Sequence, residues 1–342
     1  MKKNRIILIG EAGVNHNGNM NTAKRLIDVA KKAGADFVKF QSFKAEDLVI
    51  KKSPKAKYQI LNSKKKTETQ FEMLKSLELN KNDHINLIDY CNKKKIKFLS
   101  TPFEKKSFLL LKELNQKIYK ISSSDLNNYP FLNFISENCN RDDKIILSTG
   151  MSNLKEIEKA VKYLCKGNIK KNNISILHCT SSYPASFNML NLYSIQMLQK
   201  KFKQNVIGYS DHTEGDTASI LAIGLGAKII EKHFTLSKSM MGPDHKASLS
   251  KEEFCLFAKK IFSSISALGN KNYKQIMKSE LEIKKVARKS LFANRYIKKG
   301  EKFTEDNLCI KRPGTGLEPE NYFKLIGKKA KKKFNKDEKI NF

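Results

Sequence analysis

Short apolar runs alternate with helix-like segments along most of this chain, and the alternation constrains the fold more than any other feature. The runs are rich in β-branched residues, as strands buried on both faces require. Strand and helix alternate eight times over roughly 230 residues, which is typical of a (β/α)8 barrel. A doubly wound open sheet also alternates but rarely reaches eight evenly spaced strands. The predicted strands are Ile6–Gly10, Phe37–Phe40, Ile96–Leu99, Ile118–Ile121, Ile145–Leu147, Ile174–Leu177, Val206–Gly208 and Lys228–Ile230.

Polar or charged residues follow each of these apolar strands. In a parallel barrel the eight carboxyl ends open at one mouth, where the active sites of this fold lie. Burying charged groups there has a desolvation cost that only a functional use would offset. We therefore expect a site built from the strand ends. The candidates are Glu11, Lys39, Gln41, Ser100, Thr101, Lys120, Ser123, Asp125, Ser148, Thr149, His178, Ser210, Asp211, His212, Glu231 and His233.

Two histidines and two lysines among these residues suggest specific chemistry. His212 and His233 follow neighbouring strands, so both imidazoles can reach one divalent ion, for which Mn and Zn are both suitable. His178 is a weaker candidate for a third ligand, because a single imidazole is as often structural. Lys39 and Lys120 could bind a phosphate or carboxylate, or one of them could form an imine with a carbonyl substrate. The presence of two lysines favours anion binding.

The chain is strongly basic but poor in arginine. Its 342 residues hold 66 Lys and Arg against 34 Asp and Glu, a net charge of +32, and only six of the basic residues are Arg. Nucleic-acid-binding surfaces favour arginine, so we expect a solvated lysine-rich surface and no nucleic-acid partner. No apolar run reaches the ~20 residues of a membrane span. The six cysteines form no CxxC pair, and a cytoplasmic protein is expected.

Two stretches depart from the repeating units. Residues 42–80 form a long insertion after the second strand, suited to covering a bound substrate. Beyond the last barrel helix, short β-like pieces are divided by Gly and Pro. We predict a catalytic barrel over residues 1–268, a linker over 269–285 and a small β-rich domain over 286–342. The small domain is too short to bury a large core, so we expect it to pack on a partner surface.

A set of different motifs occurs in order along the predicted barrel. They are Glu11-Ala-Gly-Val-Asn-His-Asn-Gly18, Phe37-Val-Lys-Phe-Gln-Ser42, Leu99-Ser-Thr-Pro-Phe103, Leu147-Ser-Thr-Gly-Met151, Leu177-His-Cys-Thr180 with Tyr183-Pro184, Gly208-Tyr-Ser-Asp-His212, Glu231-Lys-His-Phe-Thr235 and Gly242-Pro-Asp-His245. Together they resemble the sialic acid synthase family, which includes N-acetylneuraminate, legionaminate and pseudaminate synthases. Lys311-Arg312-Pro313-Gly314 resembles the antifreeze-like (SAF) domain that ends these enzymes.

The resemblance implies a TIM barrel followed by an SAF domain of β-clip fold. It also implies condensation of phosphoenolpyruvate with an N-acylated mannosamine-type sugar and release of phosphate. His212 and His233 match ligands of Mn²⁺, with Mg²⁺ or Co²⁺ as alternatives. A domain-swapped homodimer is implied, in which Arg312 reaches the N-acyl group in the partner's barrel. Glu11 and Asp125 join the histidines as catalytic residues, and the other substrate-binding positions are Lys39, Gln41, Thr101, Lys120, Ser123, Ser148, Ser181, Tyr183, Ser210 and Asp244.

Two positions depart from the family pattern. Asp125 stands where members often have Glu, one methylene longer, so its carboxyl is expected to act through a water. Ser181 stands where some members have Asn, which bears on how either substrate is held. Residues 123–128 and 182–186 resemble the N-acetylneuraminate and legionaminate branches more than the pseudaminate branch. We expect N-acetylmannosamine as the sugar, with 2,4-diacetamido-2,4,6-trideoxymannose, the legionaminate precursor, as the alternative.

Overall fold

A computed structural model describes residues 5–62, 67–269 and 273–341, without the side chains of residues 57, 58 and 61. The chain divides into two compact units, Met1–Asn270 and Lys271–Phe342. Residues 270–272 of the predicted linker, and the predicted domain ends at 1–4 and 342, lie outside the described residues. No helix in the described part is both long and apolar enough to cross a membrane.

Eight parallel strands form the first unit, as the alternating sequence predicts. The hydrogen-bonded order is β3-β2-β1-β8-β7-β6-β5-β4. Strands β3 and β4 lie side by side at the seam, although no ladder joins them within the described residues, so the barrel is nearly closed. The strands are β1 (Ile7–Gly13), β2 (Phe37–Ser42), β3 (Lys97–Pro102), β4 (Ile118–Ile121), β5 (Lys144–Ser148), β6 (Ile174–Cys179), β7 (Val206–Asp211) and β8 (Ile229–His233).

Helices follow the strands and cover the barrel. Polar side chains cap their first turns: Asn80 accepts a hydrogen bond from the third backbone N–H of its helix, and Ser250 does the same at the last barrel helix, which satisfies otherwise unpaired donors. The helices of this first unit are α1 (Met20–Ala33), α2 (Ala45–Leu48), α3 (Lys57–Asn62), α4 (Gln70–Lys75), α5 (Lys81–Lys94), α6 (Lys105–Glu113), α7 (Tyr129–Asn138), α8 (Leu154–Leu164), α9 (Ser194–Lys201), α10 (Thr217–Gly224) and α11 (Lys251–Leu268). The second unit contains α12 (Leu281–Ala287) and α13 (Tyr322–Leu325).

One layer of apolar side chains fills the barrel interior and supports the polar mouth. Because strand residues alternate between two faces, positions two apart share a face. The layer consists of Ile9, Phe37, Leu99, Ile146, Leu177 and Ile229. Two positions further along the same strands, on the same face, stand Glu11, Lys39, Thr101, Ser148, Cys179 and Glu231. The polar groups at the mouth of the barrel therefore lie directly above a layer of apolar side chains.

The strands extend further than the apolar runs predict. Strand β1 continues past Gly10 to Gly13, and β8 continues past Ile230 to His233. The reason is that backbone pairing does not stop where the side chains become polar, since Glu11 and His233 are register partners. Several polar groups predicted to follow the strands, including Glu11 and His233, belong to them instead, and a paired strand holds them more rigidly than a loop would.

The insertion after β2 forms the short helices α2, α3 and α4. Thr69 and Glu72 form a reciprocal capping box at the start of α4. Phe43, Met73 and Leu77 from the insertion pack in one buried cluster with Val14 of the β1 loop. The segment is thus anchored to the barrel by apolar contacts.

The second unit contains the antiparallel pair β9 (Ser290–Ala293) and β10 (Leu308–Lys311). Leu291, Ile297, Phe303 and Phe334 belong to a core of its own. Isolated bridges extend the pairing, for example between residues 297 and 334. Helix α12 occupies part of the stretch that the sequence suggests as a linker.

Candidate active site

A cavity of about 490 Å³ opens where the barrel strands end. It brings together most of the residues that the sequence suggests for a site. The predicted residues that line it are Glu11, Lys39, Gln41, Thr101, Lys120, Ser123, Ser148, Ser181, Tyr183, Ser210, His212, Glu231, His233 and Asp244.

Two lysines and two glutamates form a buried network of ion pairs at the base of this cavity. Lys39 Nζ lies 2.6 Å from Glu11 Oε2 and 3.6 Å from Glu231 Oε2. Lys120 Nζ lies 3.6 Å from Glu231 Oε1, which also accepts a hydrogen bond from Ser210 Oγ at 2.9 Å. Glu231 is shared by both lysines, so Lys120 is the less completely neutralised cation. The base of the cavity is therefore suited to an anionic substrate.

Burial and these ion pairs shift the pKa values of the four groups. Burial raises the pKa of Glu11 to about 7, an effect that Lys39 only partly offsets. For Glu231, Lys120 and Lys39 outweigh burial and lower the pKa to about 2. Burial lowers the pKa of Lys120, whereas the two glutamates overcome burial at Lys39 and raise its pKa. Lys39 is thus held as an ammonium ion, and Glu11 can exchange a proton near neutrality.

Hydroxyl and backbone groups converge beside Lys120. Ser123 Oγ accepts a hydrogen bond from the backbone N–H of Gly150 at 2.9 Å. Ser148 Oγ is buried and has no hydrogen-bond partner among the described residues. A Cβ on Gly150 would lie 2.1 Å from Ser181 Oγ, so only glycine allows this approach. Together these groups provide hydrogen-bond donors for phosphate or carboxylate oxygens.

The imidazoles of His212 and His233 lie next to each other, with ring centroids 5.4 Å apart. His212 Nδ1 donates to the carbonyl of Thr180 at 2.9 Å, which leaves its Nε2 with a free lone pair. His233 Nδ1 is buried without a partner among the described residues. Burial and the neighbouring His212 hold the pKa of His233 well below its ordinary value, so the ring is neutral. Tyr183 packs against both rings, at centroid distances of 4.2 and 5.8 Å.

This arrangement fits a divalent ion with two protein ligands. Neutral imidazole nitrogens are donors that suit transition metals. At His212, Cys179 outweighs burial and raises the pKa of the ring, so binding of an ion would displace a proton from it. In the part of the chain that the structure describes, no group of three or more His, Cys, Asp and Glu side chains is placed to hold a metal. Any ion bound by His212 and His233 would therefore keep several positions for water and substrate oxygens, as a catalytic site requires.

Five of the residues predicted at the strand ends do not line the cavity, namely Ser100, Asp125, Thr149, His178 and Asp211. Asp125 is buried in a 3₁₀ turn after β4, where Asn128 donates to its Oδ1 at 3.4 Å and burial raises its pKa to about 6. His178 bonds the carbonyl of Leu190 at 2.7 Å, consistent with a structural role. Arg312 follows β10 in the second unit.

Two known protein families match this sequence. The NeuB family matches residues 26–273, and the SAF domain matches residues 288–341. The chain belongs to the NeuB family. The first match covers most of the barrel and the second covers most of the small unit.

Relatives of this chain include legionaminic acid synthases, pseudaminic acid synthases and an N-acetylneuraminate-9-phosphate synthase. The chain is 49% identical to the N,N'-diacetyllegionaminic acid synthase of Campylobacter jejuni, over 99% of both chains. It is 41% identical to the enzyme of the same name from Legionella pneumophila, over 94% of this chain and 89% of that one. A solved N-acetylneuraminic acid synthetase from Leptospira borgpetersenii, in complex with citrate, is 33% identical, with a TM-score of 0.69 over 82% of this chain and 90% of that one.

Sequence reasoning predicts that residues 42–80 cover a bound substrate, but it does not identify the apolar side chains that line this cavity. Phe43, Met73 and Leu77 line it together with Leu48 and Phe103, and they form one contiguous cluster. Periodicity could have found α4, since Met73 and Leu77 are four residues apart. The insertion is expected to cover a substrate, but the linear pattern does not indicate which of its side chains reach the barrel mouth.

Cys179 also lines the cavity. It lies within the motif Leu177-His-Cys-Thr180, but the resemblance assigns it no role. Its Sγ lies 3.7 Å from His212 Nδ1. Burial alone would raise the pKa of this thiol, but His212 outweighs burial and lowers it. Its position two residues after Leu177, which belongs to the inner apolar layer, is the signal that could have placed it inside the barrel.

The carboxyl of Asp244 provides a pH-dependent test of this geometry. Burial raises the pKa of Asp244 from 3.8 to about 6. A raised folded-state pKa contributes stability that is present below pH 3.8 and lost as the pH rises through 6. Asp244→Asn should therefore raise the free energy of unfolding by about 2–3 kcal/mol at pH 8 and much less at pH 4.

The measurement is urea denaturation of the EDTA-treated protein at both pH values. Asp306→Asn, at an exposed position of the second unit, is the matched control and should change neither value. An equal effect of Asp244→Asn at the two pH values would mean that the carboxyl is not held neutral in the fold.

Proposed function

We propose that this chain is an N,N'-diacetyllegionaminic acid synthase. It condenses phosphoenolpyruvate with 2,4-diacetamido-2,4,6-trideoxymannose, consumes one water and releases phosphate. The observation that carries this proposal is the 49% identity to the Campylobacter jejuni enzyme over 99% of both chains. It favours the legionaminate alternative over N-acetylmannosamine, the sugar that the sequence motifs first suggest. We propose that the reaction takes place in the cytoplasm.

The apolar side of the cavity supports the same choice. Lys39 and Lys120 at the base would hold the anionic phosphoenolpyruvate, so the sugar extends toward the mouth. There Phe43, Met73 and Leu77 present apolar surface. A 6-deoxy sugar with a 4-acetamido group offers two methyl groups to that surface, whereas N-acetylmannosamine offers hydroxyls whose water would be lost without new hydrogen bonds.

The residues have distinct parts in the proposed reaction. His212 and His233 would hold a divalent ion, Mn²⁺ in our proposal, which when bound supplies Lewis-acid polarisation of the sugar's aldehyde. Lys120, Ser123 and Ser148 orient the phosphate group so that the enol carbon faces the aldehyde carbon. Attack of the enol carbon forms the new carbon–carbon bond, and the former aldehyde oxygen takes up a proton.

Positive charge then develops at the second carbon of the former phosphoenolpyruvate. Water adds at that carbon and loses a proton, and the bond from carbon to the phosphate oxygen breaks to give the 2-keto acid and inorganic phosphate. Glu11, with its pKa near 7, is suited to transfer the proton, and Gln41 Nε2 orients its carboxyl from 3.4 Å. Asp125 is proposed to act through a water.

Sugar selectivity tests the proposal. We expect kcat/KM for 2,4-diacetamido-2,4,6-trideoxymannose to exceed that for N-acetylmannosamine by about 10²-fold, because each apolar group in a fitted pocket is worth roughly 1–3 kcal/mol. Met73→Gln should reduce this ratio about tenfold through loss of apolar contact. Met197→Gln, on the exposed face of α9, is the matched control and should leave the ratio unchanged. A parent enzyme that prefers N-acetylmannosamine would restore the original sugar assignment.

We also propose a homodimer in which Arg312 acts in the partner's barrel, next to the N-acyl group. Arg312→Ala should then raise the KM for the sugar about 10- to 100-fold, the value of a charge-assisted hydrogen bond, and leave the KM for phosphoenolpyruvate nearly unchanged. Arg295→Ala, which removes a pair with Glu301 in the same unit, serves as the control. Equal changes in both KM values for Arg312→Ala would contradict this placement.

A further inference from the structure

A second pair of charged residues lies on the opposite face of the strands that carry the histidines. Asp211 of β7 and Lys232 of β8 are register partners. Each directly precedes a candidate metal ligand, Asp211 before His212 and Lys232 before His233. Both side chains are almost completely buried, and Lys232 Nζ lies 3.0 Å from Asp211 Oδ2. Neither residue lines the cavity, so neither can touch a substrate bound there.

Hydrogen bonds connect this pair to the segment that follows β7. Asp211 Oδ1 accepts from the backbone N–H and from the hydroxyl of Thr213, both at 2.8 Å. Asp211 Oδ2 accepts from Ser219 Oγ of α10 at 2.6 Å. Lys232 Nζ donates to the carbonyl of Thr213 at 2.6 Å. The chain on both sides of His212 is thereby bonded to the residue that precedes His233.

Stability alone does not account for this arrangement. A buried ion pair loses hydration, and well-packed apolar residues in its place are often as stable or more stable. What the pair does provide is a fixed register between β7 and β8, because a slip of one residue would turn every side chain to the other face. Metal ligands need placement to within a few tenths of an ångström.

We propose that Asp211 and Lys232 are positioning residues that hold His212 and His233 in the relative placement needed to bind a divalent ion. They act through the backbone, from behind the site, and make no contact with metal or substrate. This inference rests on the metal-binding part of the proposed function. It extends that function to residues that the motif comparison does not assign.

Metal affinity in the absence of substrates is the direct test. The variants are Asp211→Asn/Lys232→Met, which neutralises the pair together, and Ser219→Ala, which removes one hydrogen bond to Asp211. Titration calorimetry with Mn²⁺ on the full-length protein should show about 10- to 100-fold weaker binding for the double variant, as expected when support of metal ligands is lost. Ser219→Ala should show a several-fold loss. The KM for phosphoenolpyruvate should stay within about twofold in both variants, because the lysines at the cavity base are untouched.

A control variant that loses stability at a site far from the histidines distinguishes a positioning role from general destabilisation of the fold. Leu164→Ala, in the buried face of α8, should lower Tm while Mn²⁺ affinity stays within about twofold of the parent. Parental affinity in the double variant, or an equal loss of affinity in Leu164→Ala, would overturn the proposal. If the double variant does not fold, Ser219→Ala decides, and unchanged affinity there counts against it.

The same experiments separate this inference from the proposed reaction. If the parent protein binds no Mn²⁺, the positioning role is overturned. The release of phosphate from the two substrates then still tests the proposed condensation. A parent that binds Mn²⁺ but releases no phosphate from the two substrates overturns the reaction. In that case the calorimetric comparison still decides whether Asp211 and Lys232 position the histidines.

Discussion

Replacing His233 by alanine is expected to lower kcat at least about 10³-fold, equivalent to about 4 kcal/mol of transition-state stabilisation. The ring is neutral, buried and adjacent to His212, with an Nδ1 that has no partner among the described residues. Its removal would leave a divalent ion with one protein ligand. Steady-state phosphate release with saturating Mn²⁺ measures the loss, and circular dichroism should show that the barrel remains folded.

His178→Gln is the matched control for this variant. His178 also stands near a strand end, but its Nε2 bonds the carbonyl of Leu190 and its ring does not line the cavity. Its replacement should lower kcat no more than about tenfold, through local stability alone. Comparable losses in the two variants would mean that His178 belongs to the metal site or that neither histidine does.

Replacing Lys120 by methionine is expected to lower kcat/KM for phosphoenolpyruvate by about 10²–10³-fold. Lys120 shares Glu231 with Lys39 at 3.6 Å. Among the described residues it otherwise donates only a long bond, 3.4 Å, to the carbonyl of Ile121. Much of its charge is therefore available to the substrate. The KM for the sugar should change no more than about threefold, because the sugar binds nearer the apolar side.

Lys117→Met provides the control for this charge change. Lys117 is exposed and lies just before the amino end of the same strand β4, so the substitution alters the net charge equally but far from the cavity. Only the general attraction of anions should weaken, an effect that salt also removes. If Lys117→Met reduced kcat/KM as strongly as Lys120→Met, the binding would depend on overall charge and not on the cavity base.

The barrel was predictable because each of its signals is local. Apolar runs and amphipathic stretches specify strands and helices directly, and the two-residue periodicity places Glu11 above Ile9 and Lys39 above Phe37 in the interior. Parallel pairing then brings these strand ends together without further information. The strand limits were less predictable, because hydrogen bonding between β1 and β8 continues through Glu11 and His233.

The features that sequence reasoning missed depend on loops and on packing between distant segments. The insertion folds into three short helices, and only the packed structure shows that Met73 and Leu77 meet Val14 at the mouth. Asp125 falls in a 3₁₀ turn that keeps its carboxyl away from the cavity lining. In our proposal the choice of sugar depends on the apolar side chains of the insertion, which the sequence motifs do not include.

A single assay tests the central claim most directly. Inorganic phosphate and 2-keto acid are measured together after incubation with phosphoenolpyruvate and 2,4-diacetamido-2,4,6-trideoxymannose, with EDTA and after addition of excess Mn²⁺. We predict equimolar phosphate and nonulosonic acid, no turnover with EDTA, full recovery with Mn²⁺, and no borohydride-trapped adduct with pyruvate. Turnover that persists in EDTA, together with a borohydride adduct at Lys39 or Lys120, would contradict the account and indicate a lysine-imine aldolase.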